Sequence, residues 1–103
     1  MTAREATTVT LRALAGRAPL DDERIRGLVI AAAHAIAERH GVRVIAIETE
    51  PTALIATLAT GRLPAIGFAA ELRRTTNAWH EGKFGETLWG ESPDVTDGGW
   101  RKE

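Results

Sequence analysis

Residues Asp22 to His40 carry the pattern that most narrows the fold. Ile25, Leu28, Val29, Ala32, Ala33, Ile36 and Ala37 recur at three- and four-residue spacing, so a single apolar stripe runs along a helix. Asp21 is placed to cap that helix, Asp22 and Glu23 suit the positive end of its dipole, and Gly41 stands where a left-handed residue closes it. A helix with one apolar stripe must bury it against a second layer, and the flanking segments supply that layer. Thr8 to Leu14 alternates Val9, Leu11 and Ala13 with Thr8, Thr10 and Arg12, the period of a half-buried strand, before Gly16-Arg17-Ala18-Pro19 breaks it. Val42 to Thr49 is apolar on both faces, which predicts a central strand. Ala53 to Thr60 follows after the turn Glu50-Pro51-Thr52, a connection too short for a parallel crossover, so the two strands form an antiparallel hairpin.

Gly61-Arg62-Leu63-Pro64 opens a second helix, with Pro64 in the first turn where a missing N–H costs little. Ala65, Phe68, Ala69, Leu72, Thr76 and Trp79 mark its buried stripe, and Gly82 and Gly85 end it. Thr87-Leu88-Trp89 reads as a short fourth strand or a packed loop. From Glu91 on, Pro93, Gly98 and Gly99 among polar residues predict an irregular tail. The expectation is one domain over residues 1–90 and a tail over 91–103. Strand, helix, strand, strand, helix and a weak strand fold most simply as a ferredoxin-like α+β domain, an antiparallel sheet with two helices on one face.

Composition narrows the function classes. The chain has 103 residues, 44% of them hydrophobic and 26% charged, the balance of an ordinary globular domain. It has no cysteine, which excludes disulfides and thiolate metal sites, and no tyrosine, which excludes a phenolic nucleophile. A net charge of −1 argues against a strong sequence-independent grip on nucleic acid, although a basic face can coexist with acidic residues elsewhere. No apolar run is long enough to span a bilayer and the N-terminus lacks the apolar stretch of a secretory signal, so a cytoplasmic location is the default expectation.

Several stretches together resemble a known family. Thr8-Val9-Thr10-Leu11-Arg12 with Gly16-Arg17-Ala18-Pro19-Leu20-Asp21 is similar to the first strand and turn of the single-tyrosine HUH transposases, in the branch associated with bacterial repetitive extragenic palindromes. Ala37 to Gly41 followed by Val42 to Ile47 is similar to that family's helix-to-strand passage. Leu72-Arg73-Arg74-Thr75-Thr76-Asn77 and Gly85-Glu86-Thr87-Leu88-Trp89 resemble its later helix and the Gly-x-x-Leu-Trp stretch after it.

The same resemblance defines what is missing. The family's motif is a Pro, a small polar residue, then His, a hydrophobe and a second His on a strand. Histidines two apart on a strand share a face, where they hold a divalent metal against the scissile phosphate. In the matching segment, Pro51 to Leu58, the two positions are Ala53 and Ile55, neither of which ligates a metal. With the tyrosine nucleophile also absent, the resemblance implies a degenerate domain that does not perform the transposase reaction.

Other chemistry has little support. His34 and His40 read as solvated side chains on the first helix, the latter favourable at its C-terminus, and His80 lies near the end of the second; their spacing shows no metal site. Ser92, the one serine, stands outside any nucleophile elbow, and Gly61 and Gly67 form no phosphate loop. Glu48 and Glu50 share a strand face, either as an acid–base pair or as a solvated strand end.

Two readings follow, neither with a cofactor. In the family the second helix faces DNA, so the resemblance implies a nucleic-acid surface of Arg62, Arg73, Arg74, Asn77 and Lys83, with single-stranded or hairpin DNA as ligand; the plain alternative is a solvated helix face balanced by Glu71 and Glu81. The second reading is a protein-interaction or accessory module, a homodimeric scaffold. Trp89 and Trp100 are candidate interface residues, although Trp89 also suits closure of the sheet's open end. An apolar sheet face turned away from the helices, carrying Ala53 and Ile55, would favour a homodimer.

Overall fold

The computed structural model describes residues 5–97. Its elements are β1 (Thr7–Arg12), α1 (Glu23–Arg39), β2 (Val44–Glu50), β3 (Ala53–Leu58), α2 (Arg62–Phe84) and β4 (Asp94–Asp97), with a single 3-10 turn at Pro19–Asp21 before α1. The strands form one antiparallel sheet in the order β2-β3-β1-β4, the ferredoxin-like arrangement, with both helices packed on one face.

Capping sets the limits of α1. Asp22, one residue later than expected, accepts hydrogen bonds at Oδ1 from the backbone N–H of Arg24 (2.8 Å) and Ile25 (3.2 Å). Asp21 falls inside the preceding 3-10 turn and has no such geometry. At the other end Gly41 takes φ +70°, Gly41 N–H donates to the Glu38 carbonyl and Val42 N–H to the Ala37 carbonyl, so a Schellman motif turns the chain into β2. Ile25, Val29, Ala33, Ile36 and Ala37 are buried, while Leu28 and Ala32 lie at the stripe's margin.

α2 begins after Gly61 and runs through Gly82 to Gly85, whose left-handed φ of +83° ends it. The buried stripe continues from Thr76 to His80, one turn on, so His80 is 6% exposed and Trp79 sits beside the core rather than in it. That follows from the i, i+4 geometry of a straight helix.

β2 is an edge strand, not a central one. A bulge between Val44 and Ala46 leaves Ile45 unpaired and shifts the side-chain parity by one. Val44 and Ile47 then both face the helices, paired with Leu58 and Ala56, and Ile45 is 42% exposed. The core lies between Val9 and Leu11 of β1, Leu54, Ala56 and Leu58 of β3, and Phe68, Ala69 and Leu72 of α2.

The fourth strand is Asp94–Asp97, within the stretch expected to be irregular, and pairs with Thr10 to Thr7 on β1. Thr87-Leu88-Trp89 is a packed loop joined to β1 only by a bridge from Ala13 to Trp89. Asp-Val-Thr-Asp offers one apolar residue, Val95, which packs on the core, so the strand is held by pairing with β1 and carries little hydrophobic signal.

Candidate functional site

The polar residues of α2 form a bracket around the chain that follows it. Asn77 Oδ1 accepts the backbone N–H of both Leu88 (2.9 Å) and Trp89 (2.8 Å). Arg73 Nη2 donates to the Gly90 carbonyl at 2.7 Å, and Arg62 Nη1 donates to the Val95 carbonyl at 2.9 Å and lies 3.6 Å from the Asp97 carboxylate. Thr76 Oγ1 accepts from Trp89 Nε1 at 2.7 Å and donates to the Leu72 carbonyl at 2.6 Å. Residues 62, 73 and 77 lie within a narrow arc of the helix, at the margin of its buried stripe, so one flank of α2 meets the backbone of residues 88–97 along its length.

Each sequence-predicted site residue therefore has a definite place. Arg62, Arg73 and Asn77 come together on that flank, each with a partner in the segment after α2. Arg74 and Lys83 are exposed on other faces of α2 and make no ion pair among the described residues. Arg62 and Lys83 are separated by about 31 Å of helix, which rules out one compact cluster. Trp89, a candidate interface residue, is 1% exposed: the Thr76 hydroxyl and the core enclose it, and it closes the open end of the sheet instead. Trp100 lies outside the described residues.

Other cations are held in the same way. Arg12 pairs with Asp94, Arg17 with Glu86 and Arg39 with Glu71, and Arg26 donates to the Leu20 carbonyl. Among the described residues, Arg24, Arg43, Arg74 and Lys83 are exposed and make no ion pair.

The sheet face away from the helices is Thr8, Thr10 and Arg12 on β1, Ala53, Ile55 and Thr57 on β3, Ala46, Glu48 and Glu50 on β2, and Asp94 and Thr96 on β4. It carries four threonines and an acidic margin, with Thr57 and Ala53 buried and Ile55 partly buried. The Ile45 bulge turns Ile47 to the core, so the apolar residues placed on this face are Ala46, Ala53 and Ile55. Ala53 and Ile55 do share this face, as their spacing required. Among the described residues, no three His, Asp or Glu side chains converge to hold a metal.

A cavity of about 290 Å³ opens where the end of α2 meets the turn after β1. Arg17 makes a forked contact with Glu86 at its rim, Nε to Oε2 at 2.7 Å and Nη2 to Oε1 at 3.2 Å. This hydrogen bond holds the Glu86 carboxyl below the usual carboxylate range and raises the Arg17 guanidinium. His80 lines the cavity and contacts the Glu86 carbonyl through Nδ1 at 2.8 Å, with the Phe84 ring 4.6 Å away.

No protein-family model and no curated protein matches this sequence. Among solved structures, the chain is similar to a Deinococcus radiodurans R1 protein described as a putative transposase, with a TM-score of 0.66 and 16% identity over 97% of this chain and 83% of that one. The two chains share a fold. This chain is also similar to part of Escherichia coli aspartokinase III, solved in complex with lysine and aspartate, with a TM-score of 0.53 and 22% identity over 93% of this chain and 18% of that one. At these identities the likenesses establish the fold and nothing finer.

Sequence reasoning missed Thr76 as a polar partner and the set of Arg17, His80 and Glu86. Thr76 left a usable signal: a hydroxyl on a buried stripe needs a buried partner, and tryptophan carries a donor. The Arg17–Glu86 pair spans 69 residues and left none.

Proposed function

We propose that this transposase-like domain is a non-catalytic accessory module that acts through protein contact, as a homodimer, and not by gripping nucleic acid through α2. The observation that carries the reading is that apolar side chains of α2 stay exposed beside polar ones that are engaged within the fold. Arg62, Arg73 and Asn77 hold the chain's own 88–97 segment. The adjacent solvent face carries Leu63 at 79% exposure and Ile66 at 40%, with exposed Ala70 one turn further.

Leu63, Ile66 and Ala70 lie at i, i+3 and i+7, a continuous apolar stripe. A groove of about 290 Å³ beside it, lined by Ile66, Ala69, Ala70, Pro93 and Val95 with Arg62 and Ser92, widens the surface. Its charges favour a second copy. Asp97, paired with Arg62, stands at one end and exposed Arg74 at the other, so an antiparallel α2–α2 contact sets Arg74 of each copy against Asp97 of its partner. The non-catalytic part of the reading rests on the resemblance: Ala53 and Ile55 occupy the positions where that family has its histidines, and the chain has no tyrosine.

Size-exclusion chromatography with light scattering at micromolar concentration tests the assembly. The expected mass is twice the 11.1 kDa of the chain, falling to one copy for Leu63→Glu combined with Ile66→Glu. A monomeric wild-type chain would contradict it.

A second reading, weak nucleic-acid binding, is favoured by one observation. Arg74 and Lys83 are exposed without an ion pair among the described residues.

A further inference from the structure

We propose that the cavity between the turn after β1 and the end of α2 binds a small zwitterion, an α-amino acid with an apolar side chain. The inference rests on the cavity alone and is independent of the assembly proposed above. Its volume of about 290 Å³ falls just below the roughly 300–1,000 Å³ typical of ligand pockets, which limits the ligand to amino-acid size.

The charges lining it select the ligand class. Arg17 and Glu86 bring one positive and one negative group to the same rim. Arg17 and Glu86 neutralise each other, so a ligand with net charge would unbalance the pair, whereas a zwitterion answers both groups and adds no net charge. Neither group is exhausted by their mutual contact. The fork uses two of the five guanidinium N–H donors, and each Glu86 oxygen keeps a free lone pair. The ligand carboxylate can therefore bind Arg17, and its ammonium Glu86, with the ion pair intact.

His80 adds a third polar group. Its Nδ1 must donate, because its partner is the Glu86 carbonyl. In the neutral ring Nε2 then keeps its lone pair as an acceptor, fixed in place by a residue that is 6% exposed. The remaining wall is apolar, with Pro19, Ile25 and Phe84 available to an aliphatic or aromatic side chain. Phe84 is 55% exposed in the free chain and would be covered by such a ligand.

The test is a ¹H–¹⁵N NMR titration of the wild-type chain with L-leucine, L-isoleucine, L-methionine and L-phenylalanine. At least one should shift the amides of Arg17, Ile25, His80 and Glu86 saturably, with a Kd on the order of 1 mM. For the best of them, the amide lacking the carboxylate and the acid lacking the ammonium should each bind about tenfold more weakly. Arg17→Gln, at an exposed position, should weaken the amino acid by a similar factor and leave the carboxylate-free amide unaffected. If none of the four amino acids shifts these amides, or if the acid lacking the ammonium binds as well as its amino acid, the proposal is wrong.

Discussion

Trp89 donates its indole N–H to the Thr76 hydroxyl at 2.7 Å, joining the loop after α2 to the buried stripe of that helix. Thr76 in turn donates to the Leu72 carbonyl, so its hydroxyl is satisfied on both sides in a site closed to water. Thr76→Val keeps the shape but leaves the indole N–H unpaired, and should destabilise the fold by about 1–3 kcal/mol. Trp89→Phe should show a loss of the same order, and a smaller one in the Thr76→Val background. Urea unfolding of the four chains of that cycle measures the coupling. Strict additivity would mean that the hydrogen bond contributes nothing.

Asn77 is the next point of the bracket. Its Oδ1 accepts two backbone N–H groups, and Asn77→Ala would strand both at residues that are themselves buried. The expected loss is about 1–3 kcal/mol, with Asn77→Asp much milder because it retains the acceptors. Hydrogen exchange should place the change at the amides of Leu88 and Trp89.

How much of this was legible in the sequence differs from element to element. α1, the β2–β3 hairpin and α2 follow from periodicity, because each buries its apolar residues on a pattern that the backbone geometry dictates. The edge position of β2 does not, since a one-residue bulge at Ile45 leaves the local pattern intact while reversing which face it serves. β4 is hidden because pairing with β1 stabilises it more than its own side chains do. At the candidate site, Arg62, Arg73 and Asn77 are polar residues on a helix flank, and such residues read alike whether they face a phosphate or a backbone carbonyl of their own chain. Their partners lie 33, 17 and 11 to 12 residues away, beyond any local pattern.

Acid should affect the rim of the polar cavity in a defined direction. Glu86 is held below the usual carboxylate range, chiefly by its hydrogen bond from Arg17. A depressed folded-state pKa contributes stability that is present above the unfolded value and is lost as the pH falls through the folded one. The side-chain carboxyl of Glu86, followed by ¹³C NMR, should titrate at lower pH in the wild-type chain than in Arg17→Gln. Any stability difference between wild type and Glu86→Gln should vanish in acid below that midpoint. A midpoint unchanged by Arg17→Gln would mean that the fork does not persist in solution.

Arg62 and Arg73, read from the sequence as nucleic-acid contacts, are brackets within the fold, whereas Arg74 and Lys83 are exposed. Fluorescence anisotropy with hairpin and single-stranded DNA, across a salt series, tests this assignment most directly. No saturable binding is expected near physiological salt, and only weak, non-specific association at low salt from single cations such as Arg74 and Lys83. Tight binding that persists at physiological salt, with a log–log salt slope falling by about 0.7–0.9 for each of Arg74→Ala and Lys83→Ala, would contradict it and establish α2 as a nucleic-acid surface.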